Sequence, residues 1–468
     1  SYDIPDVNIN KNNAISSISS LVNAVRITPY PIYLLVDEYD NFANKVMMGV
    51  HKDRDRYENL VRDEGILRTL FNVVKSNTTS TGFDRTFITG VSPVVMSDIT
   101  SGYNIAEDIY FHHRLNDICG FKEYEVRNVL KSIVEECGLD AEKTEEAMSI
   151  MKTYYNGFCF VPRFDEYIYN PTLSLFFLKK FQDTCTYPRN MLDSNLSTDS
   201  SKLEYIAHLP LGGDIILSMV ERENFVMTDE LSQRFGIGEM LDERTKNSSF
   251  IVSFLYYFGI LTLAGETDDL RLKLTVPNLI IQRLYVEQVQ LMLLPEPSTR
   301  DDGRDAAAKV YQKGDMEPLC DFIENRYFNV FKNRDYRWAN ELVLKAAFVT
   351  LLYNDLIFIM DSETELSRKY ADLTMIIRPD KRYGKIFDVL IEFKFVNLKD
   401  AKMTGEDAKS LSKTALHELP LVKSALEAGE KQVMEYGRML DVKYKNLRLQ
   451  KFVVAALGFE RVCFRKVV

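Results

Sequence analysis

The chain has little of what builds metal cages or disulfide frameworks. Cysteine occurs six times in 468 residues, at 119, 137, 159, 185, 320 and 463, and never as C-x-x-C. That excludes a zinc ribbon and predicts free thiols in a reducing interior, the cytoplasm of its own cell or of a host. Histidine occurs five times. His112 and His113 are adjacent, the others are scattered, and no H-E-x-x-H spacing exists, so ordinary core and surface roles are expected for all five. No apolar run is long enough to span a bilayer and no signal-peptide pattern opens the sequence, so no membrane partner is expected. There is no internal repeat and no low-complexity tract. No G-x-x-x-x-G-K-[ST] loop occurs, so the usual cradle for nucleotide phosphates is missing. Positive charge is in deficit: 58 Lys and Arg stand against 68 Asp and Glu, a net charge of −10. An acidic chain is a poor non-specific binder of nucleic acid, and any such site must be locally basic.

What is present suits two or three well-cored domains: 46% of the residues are hydrophobic. The polar run Glu296–Asp305, with its Pro and Gly, reads as a boundary. Expected are an α/β unit over 1–115, a mainly helical region over 116–295 and a second α/β unit over 305–468. In the first unit a helix is predicted from Ala14 to Val25. Pro31–Val36 follows as a buried parallel strand that ends in Asp37 and Glu38, the place where open α/β sheets put their ligands. The functional reading is a Walker B element, with Asp37 on Mg²⁺ and Glu38 orienting water; the plain reading is a core strand ending in a charged turn. A helical stretch, Asn59–Lys75, leads to a second strand at Thr86–Pro93, and that order argues for parallel pairing. Helices are predicted between Asp117 and Tyr155, a surface loop at 183–200, and an apolar helix (Phe250–Tyr257) followed by a hairpin (Leu261–Ala264 with Leu270–Leu274). That last order resembles a winged helix, although a helical spacer is the preferred expectation.

In the last unit, Trp338–Glu341 opens an apolar helix and Ile357–Met360 is a strand. Two further strands, Ala371–Ile377 and Phe387–Phe395, flank a turn with Arg378, Lys381, Arg382 and Lys385. The second strand alternates, with Val389, Ile391, Phe393 and Phe395 on one face and Asp388, Leu390, Glu392 and Lys394 on the other. A hairpin could bring Asp372 beside Glu392 and Lys394. Two carboxylates and a lysine at a sheet edge can hold a divalent cation, orient a water and offset charge on a phosphate; a solvated charged face is the plain alternative. Leu421–Leu440 is an amphipathic helix on which Gln432 and Tyr436 share a face. Strands at Phe452–Leu457 and Arg461–Lys466 close the unit.

The D…E-x-K pattern of Asp372, Glu392 and Lys394 resembles the PD-(D/E)XK nuclease superfamily, with Ala371 in place of the proline. Gln432–Tyr436 is similar to the Q-x-x-x-Y motif of RecB-like nucleases. Leu35–Asp40, Phe87–Pro93, Tyr154–Phe158, Tyr169–Pro171, Ser253–Thr262 and Leu274–Asn278 resemble, in order, a family of predicted AAA-type ATPases that typically carry such a nuclease domain at the C-terminus. The resemblance implies an AAA-type ATPase module with a helical extension, fused to a DNA nuclease dependent on Mg²⁺ or Mn²⁺. It implies catalytic roles for Asp372, Glu392, Lys394, Gln432 and Tyr436. Asp372, Glu392 and Glu341 would hold metal, and Arg368, Arg378, Lys381 and Arg382 would meet DNA. The missing phosphate loop leaves ATP little to be held by: the chain was cut downstream of it, or this member has lost nucleotide binding. Two other readings stay open. One is a non-catalytic scaffold for nucleic acid or a protein partner; the other is an ATPase whose C-terminal unit only docks substrate.

Overall fold

The computed structural model describes residues 6–40, 66–78, 82–91, 107–192, 200–220, 225–232, 246–329, 341–361, 364–366, 369–444 and 446–468. The N-terminal part begins with helix α1 (Ala14–Arg26), capped by the Asn13 side chain on the Ser16 amide. Strand β1 (Ile32–Val36) follows, then helix α2 (Ile66–Thr78) and strand β2 (Phe83–Ile88). β1 and β2 pair in parallel, with Leu34 opposite Thr86 and Val36 opposite Ile88, the pairing that strand–helix–strand order predicts. Val22, Phe71, Val74 and Phe83 bury one side of this pair. The other side is open, with Tyr33 63% and Leu35 75% exposed. β1 is thus half-buried, where its unbroken apolar run predicted burial on both faces. The second strand also starts three residues earlier than Thr86.

Helices α3 (Glu123–Glu136), α4 (Glu142–Tyr155) and α5 (Pro171–Thr184) form a small bundle. Val126, Leu130, Ile133, Tyr154, Tyr155, Phe177 and Phe181 fill its core, while Val129 on α3 is exposed. Cys137 at the end of α3 and Cys185 at the end of α5 are joined as a disulfide, against the expectation that every thiol is free. Their 48-residue separation carried no pairing signal, and only the bundle brings the two helix ends together. Gly157 has a φ of +104°, and a Cβ there would lie 2.0 Å from the Pro277 carbonyl oxygen. Only glycine allows that approach. Beside it the Asn278 amide donates to the Asn156 carbonyl at 3.0 Å, so the Tyr154–Phe158 and Leu274–Asn278 motifs meet in space.

Helices α6 (Ser200–Ala207) and α7 (Gly212–Ser218) precede strand β3 (Phe225–Thr228). Helix α8 (Ser248–Tyr257) then leads into the hairpin β4 (Thr262–Glu266) and β5 (Leu272–Thr275). β3 pairs with β5 to complete a three-stranded antiparallel sheet, so this region is more than a helical spacer. Helix α9 (Leu279–Leu293) runs on into helix α10 (Pro297–Lys313). The polar run Glu296–Asp305, read as a boundary, is helical from Pro297, which opens α10. Gly303 lets α10 press against Leu351 and Phe322, which a Cβ would meet at 2.8–3.1 Å.

The C-terminal unit is organised by a mixed sheet. Helix α11 (Glu341–Leu352) precedes strands β6 (Phe358–Asp361), β7 (Thr364–Leu366), β8 (Lys369–Ala371), β9 (Leu373–Ile377) and β10 (Asp388–Val396). Helix α12 (Pro420–Lys443) and strands β11 (Leu449–Leu457) and β12 (Arg461–Val467) follow. The strand order is β12-β11-β10-β9-β6. β10 and β11 are parallel and the other pairs antiparallel. Val389, Ile391 and Phe393 belong to the largest core cluster, where the Phe393 ring lies 5.1 Å from that of Phe348 on α11. Leu390 instead joins Val433, Tyr436 and Leu440 of α12. The period-2 alternation of β10 thus sorts its residues between two helices. Each large apolar side chain fully buried this way contributes about 1.5–3 kcal/mol. Among the described residues no helix is long and apolar enough to cross a membrane.

Candidate active site

Asp372 sits at the break between β8 and β9, and Glu392 and Lys394 lie on β10, whose Ile391 pairs with Leu373. The register that buries Val389 and Ile391 therefore sets Glu392 beside Asp372. The Asp372 Oδ2 accepts from the Phe393 amide at 2.7 Å, doing the work of a strand partner where the β9 ladder has ended. Lys394 Nζ lies 2.8 Å from Glu392 Oε1. Glu392 is buried, and its Oε2 has no hydrogen-bond partner. Burial, and after it the charge of Asp372, pushes the Glu392 carboxyl up to about 7, against the pull of Lys394. Two carboxylates and one lysine are thus brought together as the spacing predicted.

Glu341 opens α11 at the margin of this group. Its carboxyl is raised by burial and by the charge of Asp372, and held down by Lys394, Lys345 and the Phe395 backbone. The buried Lys345, one turn along the helix, has its Nζ 3.9 Å from Asp372 Oδ1. Sequence reasoning passed over this residue. Its only signal was a lysine four residues after Glu341 in an otherwise apolar helix. On α12, Gly429, Gln432 and Tyr436 share one stripe. Gly429 lets the helix lie close to β11, where a Cβ would meet Val453 Cγ1 at 2.5 Å. Tyr436 is buried in the cluster that holds Ala371 and Leu390, whereas Gln432 is half-buried.

The basic turn does not lie beside the acids. The turn begins after Ile377, at the end of the hairpin away from Asp372, and the four residue steps along β10 from Asp388 to Glu392 span ~13 Å. Arg378, expected on DNA, is fully buried. Its guanidinium holds the Asp380 carboxylate and the carbonyls of Pro188, Arg189 and Leu356 at 3.1–3.3 Å. Arg382 grips the buried Asp388 with two bonds of 3.1 Å, and Lys381 pairs with Asp380 at 2.7 Å. These cations are held by counter-charges of the fold: Arg378 and Lys381 by Asp380 within the turn itself, and Arg382 by Asp388 at the start of β10. Arg368 lies outside the described residues.

At the N-terminal sheet Asp37 and Glu38 are exposed at the end of β1. The Thr89 hydroxyl donates to Asp37 Oδ1, and the buried Asp40 accepts from the Val91 amide at 3.1 Å. The strand ends are adjacent, as expected of neighbouring parallel strands.

The N-terminal part is similar to a family described as predicted AAA-ATPase, whose model matches residues 2–100. The match ends there, so the C-terminal sheet and its acids lie outside it. Neither the comparison with curated proteins nor that with solved structures gave a match.

Proposed function

We propose that the chain is a divalent-cation-dependent nuclease that hydrolyses DNA phosphodiesters at Asp372, Glu392 and Lys394, joined to an ATPase-like module. One observation carries the reading: a buried carboxylate, Glu392, stands against a second one with an oxygen left unpartnered. Like charges held together in a dry setting are costly unless a cation joins them. The donors are hard carboxylate oxygens, which suit Mg²⁺ or Mn²⁺. No group of three or more His, Cys, Asp or Glu is assembled as a metal cluster among the described residues, so Asp372 and Glu392 would form the core of the site, with Glu341 at its margin.

A bound divalent cation would supply Lewis acidity toward a water and a phosphate oxygen. The chain's own groups do the rest. Asp372 is fixed in orientation by the Phe393 amide. Lys394 presents a positive charge on the face of Glu392, where it can hold the attacking water or neutralise a phosphate oxygen. Gln432 can hydrogen-bond the strand, and the buried Tyr436 sets the α12 stripe against the sheet. In the N-terminal module, Asp37 and Glu38 face solvent and no phosphate loop occurs in the sequence, so ATP is bound weakly or not at all.

The test is cleavage of plasmid and short single-stranded DNA with Mg²⁺ or Mn²⁺, wild type against Glu392→Gln. The expected result is cleavage by wild type and a loss of more than ~100-fold in the variant, since a first ligand matters at least as much as its supporting partners. If wild type cuts neither substrate, or the variant cuts equally well, a non-catalytic scaffold replaces this reading.

A further inference from the structure

Helix α11 is buried without a break from Val343 to Leu352, and Lys345 lies in that run at 4% exposure. A lysine there is costly where a leucine or methionine would pack, unless its charge is answered. The Nζ lies 3.9 Å from Asp372 Oδ1, beyond hydrogen-bond range but within the reach of charge. The other oxygen of Asp372 is taken by the Phe393 amide. Glu341 stands one turn earlier on the helix, on the same side as Lys345. Two lysines thus stand beside the acidic pair, Lys345 at Asp372 and Lys394 at Glu392, with Glu341 at its margin.

We infer that Lys345 is a built-in counter-cation of the site: a positioning residue that holds Asp372 and limits how tightly the acidic pair takes a divalent cation. The inference rests on the reading of Asp372 and Glu392 as ion ligands. With Lys345 charged and all three acids ionised, the ensemble carries one excess negative charge; without Lys345, two. A dication should therefore bind the uncompensated site at least ~10-fold more tightly. Product release from such a site would slow, so the lysine would trade affinity for turnover.

Two measurements on the full chain test this. Mn²⁺ titration followed by electron paramagnetic resonance should show Lys345→Met binding at least ~10-fold tighter than wild type, with Lys345→Arg near wild type. Thermal unfolding without divalent ions should show that Lys345→Met and Asp372→Asn do not add: the second substitution costs less when the first is present. Additive Tm shifts overturn the pairing. Mn²⁺ binding that Glu392→Gln removes but Lys345→Met leaves unchanged overturns this role alone. Binding absent from wild type overturns the metal reading and, with it, the affinity-setting role.

Discussion

Both sheets carry acids near the end of a strand or at a break, yet in opposite surroundings. On the N-terminal pair, Asp37 and Glu38 project into water from a two-stranded sheet with one open face. On the C-terminal sheet, Glu392 is enclosed between helices, and its carboxyl is pushed up to about 7. The residue types are the same; burial makes the difference. A hydrated carboxylate has its charge answered by solvent, whereas an enclosed one needs a cation, a proton or a lysine.

The contrast can be broken in order of effect. Glu392→Gln should remove DNA cleavage by more than ~100-fold, while Asp37→Asn leaves the cleavage rate within about twofold; a plasmid-nicking time course checks both. Equal losses would erase the distinction between the sheets. Arg378→Ala should destabilise the fold by about 3–5 kcal/mol in denaturant unfolding, because Asp380 and three carbonyls lose a buried partner. Gly429→Ala should cost about 1–3 kcal/mol by forcing α12 off Val453. Lys381→Glu should cost no more than ~1 kcal/mol, with DNA affinity unchanged in fluorescence anisotropy. A marked loss of affinity would return the basic turn to the DNA surface. Calorimetric titration with ATP and Mg²⁺ should give little or no heat; low-micromolar binding would mean that another backbone loop cradles the phosphates.

The parts of the fold legible in the sequence were those that local periodicity controls. The alternation of β10 put Glu392 and Lys394 on one face, and helical spacing put Gln432 and Tyr436 on another element's common side. What was not legible depended on distant partners. Arg378 looked like a DNA contact because nothing near it shows that the carbonyls of Pro188 and Arg189, some 190 residues earlier in the chain, surround its guanidinium. The helix through Glu296–Asp305 was missed because the run's polarity outweighed Pro297 as a helix opener. Lys345 was passed over because a lone lysine in an apolar run gives no hint of the charge it faces. Cys137 and Cys185 carry no signature of pairing until the bundle forms.

The hydrogen bond from Phe393 to Asp372 has a consequence for spectroscopy. Asp372 is both a proposed ion ligand and the acceptor that shields the edge of β10 beyond Ile391. The exchange of the Phe393 amide with solvent deuterium therefore becomes a local gauge of that carboxylate. An ion that drew Asp372 away would expose the amide, whereas one that held it in place would lengthen the amide's lifetime. Either way, a single backbone proton would register events at the acids without any substrate being cut.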